Sequence, residues 1–364
     1  MAEGVRGIPV VVMGLGPVGQ AIARAALATP DLRVVGAVDP RHAGRTLGEL
    51  LGSTGPALTV EAEPARALAA ARGGVLLHAV TSDLEEAEPQ LRQAVRAGLS
   101  VVSTCEELAY PWLSHEALAE ELDRLAEQRD VAVVGAGVNP GFALDRLPAF
   151  LSQVAGPVRH VRAVRVVDAA ARREQLARKV GAGLTVEAFD AAAERGEVGH
   201  VGLSQSAALA ALGCGFELDE VEETIDPEVA ARDLSGPVPV ARGRVAGARQ
   251  VVRGFVEGED QLQPHHLAPL GEGPRLLVDP GDLARPQPLA RLLGEERVRL
   301  ELTIAVGAAD PRDEVELDAT PPLRLVVPGG IPGEAATVHA VLHAALAVGE
   351  RHGLLTVLDL PAGR

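Results

Sequence analysis

The chain has 364 residues, 47% apolar and 23% charged, and its 50 acidic side chains against 34 basic ones give a net charge of −16. Such a length accommodates two domains with sizeable cores, and the acidic balance excludes nucleic acid and anionic membrane surfaces, which need a basic footprint. The start, MAEGVRGIPVVVMGLG, carries no export signal, no apolar run nears the roughly 18 residues of a membrane span, and neither the two cysteines (Cys105, Cys214) nor any Cys/His spacing makes a disulfide framework or a zinc site, so a cytoplasmic, metal-free protein is expected.

The first 140 residues alternate short apolar runs with helix-length amphipathic ones. Strands are expected at Ile8–Met13, Arg33–Val38, Val75–Val80, Ser100–Thr104 and Val131–Gly135, with helical patterns at Val18–Ala28, Leu84–Ala97 and His115–Gln128 between them. The strand runs are continuously apolar, as in strands covered on both faces, and the βαβ rhythm predicts an α/β fold with a doubly wound parallel sheet of the Rossmann type. After Asn139-Pro140-Gly141 the rhythm changes to a helix at Phe142–Gln153, a strand at Val158–Val167, helices at Val186–Arg195 and Ser204–Leu212, and β-rich runs at Phe216–Ile225, Val238–Glu257 and Arg297–Gly307. Bunched strands predict a second, α+β domain, with Gly258–Pro288, rich in Pro, Gly and Gln, as a loop. The expected organisation is a dinucleotide-binding domain over 1–140, a substrate and dimerisation domain over 141–328, and a segment, 329–364, whose helix (Glu334–Val348) returns to the first domain.

Gly14-Leu15-Gly16-Pro17-Val18-Gly19 follows a predicted strand and opens a predicted helix. One glycine turns the chain, one admits a pyrophosphate to the backbone, and one packs helix on strand, while the helix N-terminus faces the anion. Asp39 ends the second strand where a carboxylate accepts the adenosine ribose hydroxyls, and Arg41 is placed to cover a 2′-phosphate, so the cofactor is read as NAD or NADP. In an open parallel sheet the ligand lies beyond the carboxyl ends of the strands. That rule nominates His78, Ala79, Thr81 and Ser82, then Thr104 and Cys105, then Asn139 and Gly141 as cofactor contacts; Ser82 is equally suited to capping the helix that follows.

In Ser103-Thr104-Cys105-Glu106-Glu107 a carboxylate just past a strand end is placed to act as general base beside a nicotinamide, with Tyr110 and Trp112 to bury it partly. The plainer alternative is a pair of acids starting a solvated helix. Cys105 offers a rival chemistry, a thiolate nucleophile as in semialdehyde dehydrogenases, against the commoner role of inert packing. In the strand Val158–Val167, Arg165 shares a face with Val161, Ala163 and Val167. A buried arginine needs a partner, either a substrate carboxylate or a structural acid. The sequence's only tyrosine, tryptophan, asparagine and lysine (Tyr110, Trp112, Asn139, Lys179) all fall in this central stretch.

Several segments recur together: the glycine fingerprint, EELAYPW at 106–112, GxNPGF at 137–142, RRxxxxRKVGAGLT at 172–185, GHVG at 199–202, VGAxDPRDE at 306–314 and GGIxGExAT at 329–337. Together they resemble the 2,4-diaminopentanoate dehydrogenase and NAD(P)H-dependent amine dehydrogenase family, related in fold to dihydrodipicolinate reductase. The resemblance implies a homodimer that catalyses reversible oxidative deamination of an amine or diamino acid, and in reverse the reductive amination of a ketone with ammonia. It implies Glu106 as the catalytic carboxylate, with Glu107 as fallback. Asn139, Arg165 and His200 would grip the substrate, with Phe142 as a pocket wall and Lys179 as a further contact. Pro332 and Glu334 stand where the family often has His and Asp, and His265-His266 lack the lysine and the continuation of dihydrodipicolinate reductase proper, so that activity ranks below amine oxidation. A semialdehyde or imine reductase using Cys105 is a second rival function on the same fold, and a non-catalytic NAD(H) sensor is a third.

Overall fold

The computed structural model describes residues 7–52, 57–257 and 294–363. The run IPVVVM forms β1 (Ile8–Met13), whose Val10, Val11 and Val12 have no exposed surface, because strands pair on both sides and helices cover both faces. Pro17 opens α1 (Pro17–Ala28), which buries Gly19, Ile22, Ala23 and Ala26 at helical spacing. β2 (Leu32–Val38) pairs in parallel with one edge of β1. The chain then passes through the short α2 (Leu47–Leu51) and α3 (Ala65–Ala70) to β3 (Val75–His78), on the other edge of β1. From there α4 (Leu84–Arg96), β4 (Ser100–Ser103), α5 (Glu116–Glu127) and β5 (Ala132–Gly135) extend the sheet outward, every pair parallel. The reversal about β1 makes the carboxyl ends of β1 and β3 a topological switch point.

The second unit begins with a helix shorter than expected. α6 (Arg146–Ser152) starts only at Asp145, whose carboxylate accepts the Arg146 N–H at 2.6 Å and the Ser206 hydroxyl at 2.8 Å. β6 (His160–Asp168), α7 (Glu174–Lys179), α8 (Val186–Glu194) and α9 (Leu203–Gly213) follow. β7 (Glu220–Val229) starts four residues later than expected, because Phe216 turns into the core after Gly215; as an edge strand it tolerates Pro227. β8 (Val245–Val256), β9 (Glu295–Ala305), β10 (Arg312–Asp318) and β11 (Leu323–Pro328) complete a mixed sheet of order β11-β10-β6-β9-β8-β7, in which only β6 and β9 run parallel. The loop expected at 258–288, with His265 and His266, lies outside the described residues.

One face of this sheet sends Val161, Ala163, Val252, Leu300 and Leu317 into a core closed by α6, α8 and α9. The other carries alternating charge: buried Glu301 sits between Arg162 at 3.0 Å and Arg249 at 2.6 Å, and buried Glu314 between Arg312 at 2.9 Å and Arg324. Burial raises the Glu301 pKa, but the arginines outweigh it and hold the carboxyl below its ordinary range.

The chain closes with α10 (Gly333–Ala347), which packs on α1, and β12 (Gly353–Leu355), which pairs in parallel with β5 and completes the first sheet as β2-β1-β3-β4-β5-β12. Two compact units result, Met1–Phe142 with Pro332–Arg364, and Ala143–Ile331. The fold is therefore a Rossmann-type α/β sheet with a C-terminal helix returned to it and a second α+β sheet. Among the described residues no helix is long and apolar enough to cross a membrane.

Candidate active site

The glycine loop closes by backbone contact. Gly14 has φ +85°, and a Cβ there would stand 2.4 Å from the Ala79 carbonyl oxygen; a Cβ on Gly19 would stand 1.7 Å from that of Gly14. These two glycines are required by the fold. Gly16 is not: its φ of −65° and ψ of −177° suit any residue, and a Cβ would meet nothing nearer than Arg41 Nη2 at 4.0 Å. No side chain caps α1 at Gly16, so first-turn N–H groups face this open space. A cradle with room above a glycine and helix N–H groups below it fits a dinucleotide pyrophosphate.

Asp39, 2% exposed, ties this loop to the end of β2. Its carboxylate accepts the Leu15 N–H at 2.8 Å and the Arg41 N–H at 2.8 Å, and pairs with the Arg41 guanidinium at 3.3 Å. Burial raises its pKa, but these donors outweigh it and hold the carboxyl below its usual range. The guanidinium itself is largely exposed. Val80, 46% exposed, lies at the switch point within the stretch 78–82 that the strand-end rule points to, because β3 ends at His78, two residues earlier than expected.

The residues nominated at the strand ends divide by environment. The His78 ring is wholly buried between Ser103 Oγ and Gln90 Oε1, each at 2.8 Å, so its side chain cannot meet a cofactor. Burial pushes its pKa down to about 4 and keeps it neutral. The Thr81 hydroxyl donates to Glu86 and accepts the Asp83 N–H, and Asp83, not Ser82, caps α4 through the Glu86 N–H at 2.9 Å. Cys105 is buried, its thiol donates to the Ser82 carbonyl at 3.1 Å, and burial pushes its pKa up to about 12, which removes the thiolate chemistry of the rival reading.

The two adjacent acids also part. Glu107 accepts the Leu84 N–H at 2.7 Å through Oε2, which also lies 3.2 Å from His115 Nε2, so its carboxylate holds the start of α4. Glu106, half-buried, stands in the loop past β4, with Thr104 two residues before it and the Tyr110–Trp112 ring pair (centroids 5.4 Å apart) after it. Past β5, Gly137 and Gly141 close a turn on each other around Asn139; the Val138 N–H donates to Thr337 of α10 at 3.2 Å. Thr337, within the GGIxGExAT segment, is a support that sequence reasoning did not single out. Phe142 follows this turn, 40% exposed.

In the second unit, Arg165 corrects an expectation. Its guanidinium, 4% exposed, lies 2.7 and 2.8 Å from the two oxygens of Asp313, its antiparallel register partner, and donates to the Ile331 carbonyl at 2.7 Å. It is a structural ion pair, and Asp313 further accepts the Ile331 N–H at 2.6 Å. Lys179 and His200 are brought together, since the Gly199 N–H donates to the Lys179 carbonyl at 3.0 Å. Buried Gln250 brackets His200, accepting its N–H at 2.6 Å and donating to its carbonyl at 3.0 Å. Nothing in the spacing of Gln250 marks this role. Among the described residues no group of three His, Cys, Asp or Glu side chains could hold a metal ion.

The parallel sheet, the cradle at Gly16 and the buried acid ending β2 define an NAD(P)-dependent oxidoreductase of the Rossmann class. Residues 142–285 match the family model described as the 2,4-diaminopentanoate dehydrogenase C-terminal domain. The chain is 27% identical to 2,4-diaminopentanoate dehydrogenase of Acetoanaerobium sticklandii over 98% of its own length and 94% of that protein. It is 36% identical over 138 residues to 4-hydroxy-tetrahydrodipicolinate reductase of Moorella thermoacetica, covering 38% of this chain and 48% of the reductase. Among solved structures, amine dehydrogenase from Mycobacterium smegmatis has the same fold, with a TM-score of 0.77 at 22% identity over 98% of this chain and 97% of that one. The resemblance read from the motifs holds along nearly the whole chain.

Three outcomes follow from this geometry. Gly16→Ala folds normally yet binds dinucleotide roughly tenfold or more weakly, the scale of one lost charge-assisted hydrogen bond, whereas Gly19→Ala lowers the melting temperature as well; titration and thermal melts separate them. Cys105→Ser retains turnover within about threefold, where loss of a nucleophile would remove it. Asp313→Ala strands a buried arginine and costs about 3–5 kcal/mol in chemical unfolding, which the double change Arg165→Met, Asp313→Leu largely restores.

Proposed function

We propose that the protein is an amine dehydrogenase that oxidatively deaminates an amine or diamino acid of the 2,4-diaminopentanoate kind, and in reverse aminates the ketone with ammonia. The observation that carries this reading is the placement of Glu106 at the carboxyl end of β4, its neighbour Glu107 already committed, in a chain similar end to end to a protein of that name. The coenzyme, when bound, supplies the hydride acceptor in one direction and the donor in the other.

Glu106 takes a proton from the substrate ammonium, so that the nitrogen lone pair supports departure of hydride from the adjacent carbon. Having released that proton to solvent, it takes one from the water that adds to the resulting carbon–nitrogen double bond and passes it to the nitrogen, which leaves as ammonia. Asn139 orients the substrate, Thr104 and Gly141 line the coenzyme side, and Phe142 walls the pocket. Arg165, neutralised by Asp313, is left out of binding the polar end of an amino-acid substrate. Asp39 receives the ribose hydroxyls of NAD, and the exposed Arg41 guanidinium covers the additional phosphate of NADP. A cytoplasmic homodimer is part of the same proposal.

The test is a panel of 2,4-diaminopentanoate, alanine-sized amino acids and short alkyl amines, followed by absorbance of the reduced coenzyme. Turnover of the diamino acid is expected, and Glu106→Gln lowers kcat about 10²–10⁴-fold, the range for a positioned acid–base group. Dinucleotide binding without turnover of any amine, or of ketone with ammonia, overturns the reading.

A further inference from the structure

A buried polar chain runs from α4 to the loop that carries Glu106. His78 ends β3 and Ser103 ends β4; the two are register partners in the parallel sheet, and neither has any exposed surface. Gln90 Oε1 lies 2.8 Å from His78 Nε2, His78 Nδ1 lies 2.8 Å from Ser103 Oγ, and Ser103 Oγ accepts the Cys105 N–H at 3.0 Å. The ends of the chain fix its direction. A backbone N–H can only donate and an amide oxygen can only accept, so the imidazole carries its proton on Nε2 and Ser103 donates its hydroxyl proton to Nδ1. Every group is satisfied in that one order.

Packing alone does not call for this chain. The neighbouring residues of β3 and β4, Leu77 and Val102, are apolar and equally buried, and replacing a polar pair by apolar groups of like shape is often neutral for stability. What the chain adds is orientation. It holds the Cys105 peptide, one planar unit before the Glu106 Cα. On the far side, the Glu107 carboxylate is held by the Leu84 N–H, so Glu106 stands between two anchored neighbours.

Resting on the proposed role of Glu106, we propose that Ser103 and His78 are positioning residues that set the catalytic carboxylate through the Cys105 peptide. A displacement of about 1 Å at a reacting group costs on the order of 10²-fold in rate, so the hydroxyl, not the bulk, of residue 103 is what matters.

Thr and Val at position 103 have nearly the same shape and differ in that hydroxyl. Ser103→Thr retains kcat within about threefold, and Ser103→Val loses roughly 10–100-fold. The Val variant keeps its dinucleotide Kd and shifts the acidic limb of the kcat–pH profile by about half a unit or more as the carboxylate changes surroundings. Equal kcat and pH limbs for Thr and Val overturn the proposal, as does a Val variant that loses kcat and dinucleotide binding together. Should Ser103→Val fail to fold, Gln90→Leu against Gln90→Glu repeats the comparison at the half-buried far end, Glu keeping the acceptor for Nε2, and equal rates there count against the relay. Glu106→Gln separates the two levels. If it leaves turnover intact, the base assignment falls; if it abolishes turnover while Ser103→Val matches Ser103→Thr, only the relay falls.

Discussion

The site depends on how closely backbone packs on backbone at the switch point of the first sheet. Gly14 meets the Ala79 carbonyl and Gly19 meets the Gly14 carbonyl, with no room for a β-carbon at either position. This double contact draws the N-terminus of α1 down onto the ends of β1 and β3, and it leaves Gly16 as the one glycine of the loop with open space above it. The anion cradle is therefore a consequence of packing, completed when the Leu15 N–H is taken by the Asp39 carboxylate. That carboxylate does structural work in the loop at the position where a ribose would be received. A substitution at Asp39 disturbs the loop as well as the ligand.

The same economy separates Glu106 from Glu107. Adjacent residues with identical chemistry face different surroundings because Glu107 opens a short 3-10 turn, Glu107–Ala109, and Glu106 precedes it. Glu107 satisfies an orphan N–H at the start of α4 and pins the loop. Glu106 stands past the carboxyl end of the sheet, between a thiol anchored on Ser82 and a carboxylate anchored on Leu84. One acid supplies rigidity beside the other, which is what the role proposed for Glu106 requires, since a proton-transfer group must be held before substrate arrives.

Much of the fold was legible because it follows from local patterns. The four inner strands of the first sheet read as continuous apolar runs, and the glycine fingerprint sat where a strand gives way to a helix. What was not legible depends on distant partners. β10 was seen only through motif residues 312–314 and β11 was not seen as a strand, since their charges look like a solvated segment until Arg162, Arg312 and Arg324 are found beside Glu314 and Glu316. Arg165 was recognised as needing a partner, but the acid that answers it lies 148 residues on, and sequence alone left substrate and structural acid equally open. His78 was placed correctly at a strand end, but its ring lies between Ser103 and Gln90, because strand-end position does not say whether a side chain points outward or between neighbouring strands.

Arg165 illustrates how a family-derived role and a physical one can diverge. An arginine on an apolar strand face must be neutralised, and a substrate carboxylate does so only while substrate is bound. In its absence the charge would stand desolvated, at a cost of several kcal/mol. A fixed acid in register, here Asp313, removes that cost permanently and also takes the Ile331 N–H, joining β10 to the segment that leads out of β11. A side chain that binds a transient anion is therefore better sought at partial exposure, where water can replace the ligand. Of the expected substrate contacts, His200 is half-buried and Lys179 exposed, and Gln250 holds the His200 backbone from both sides.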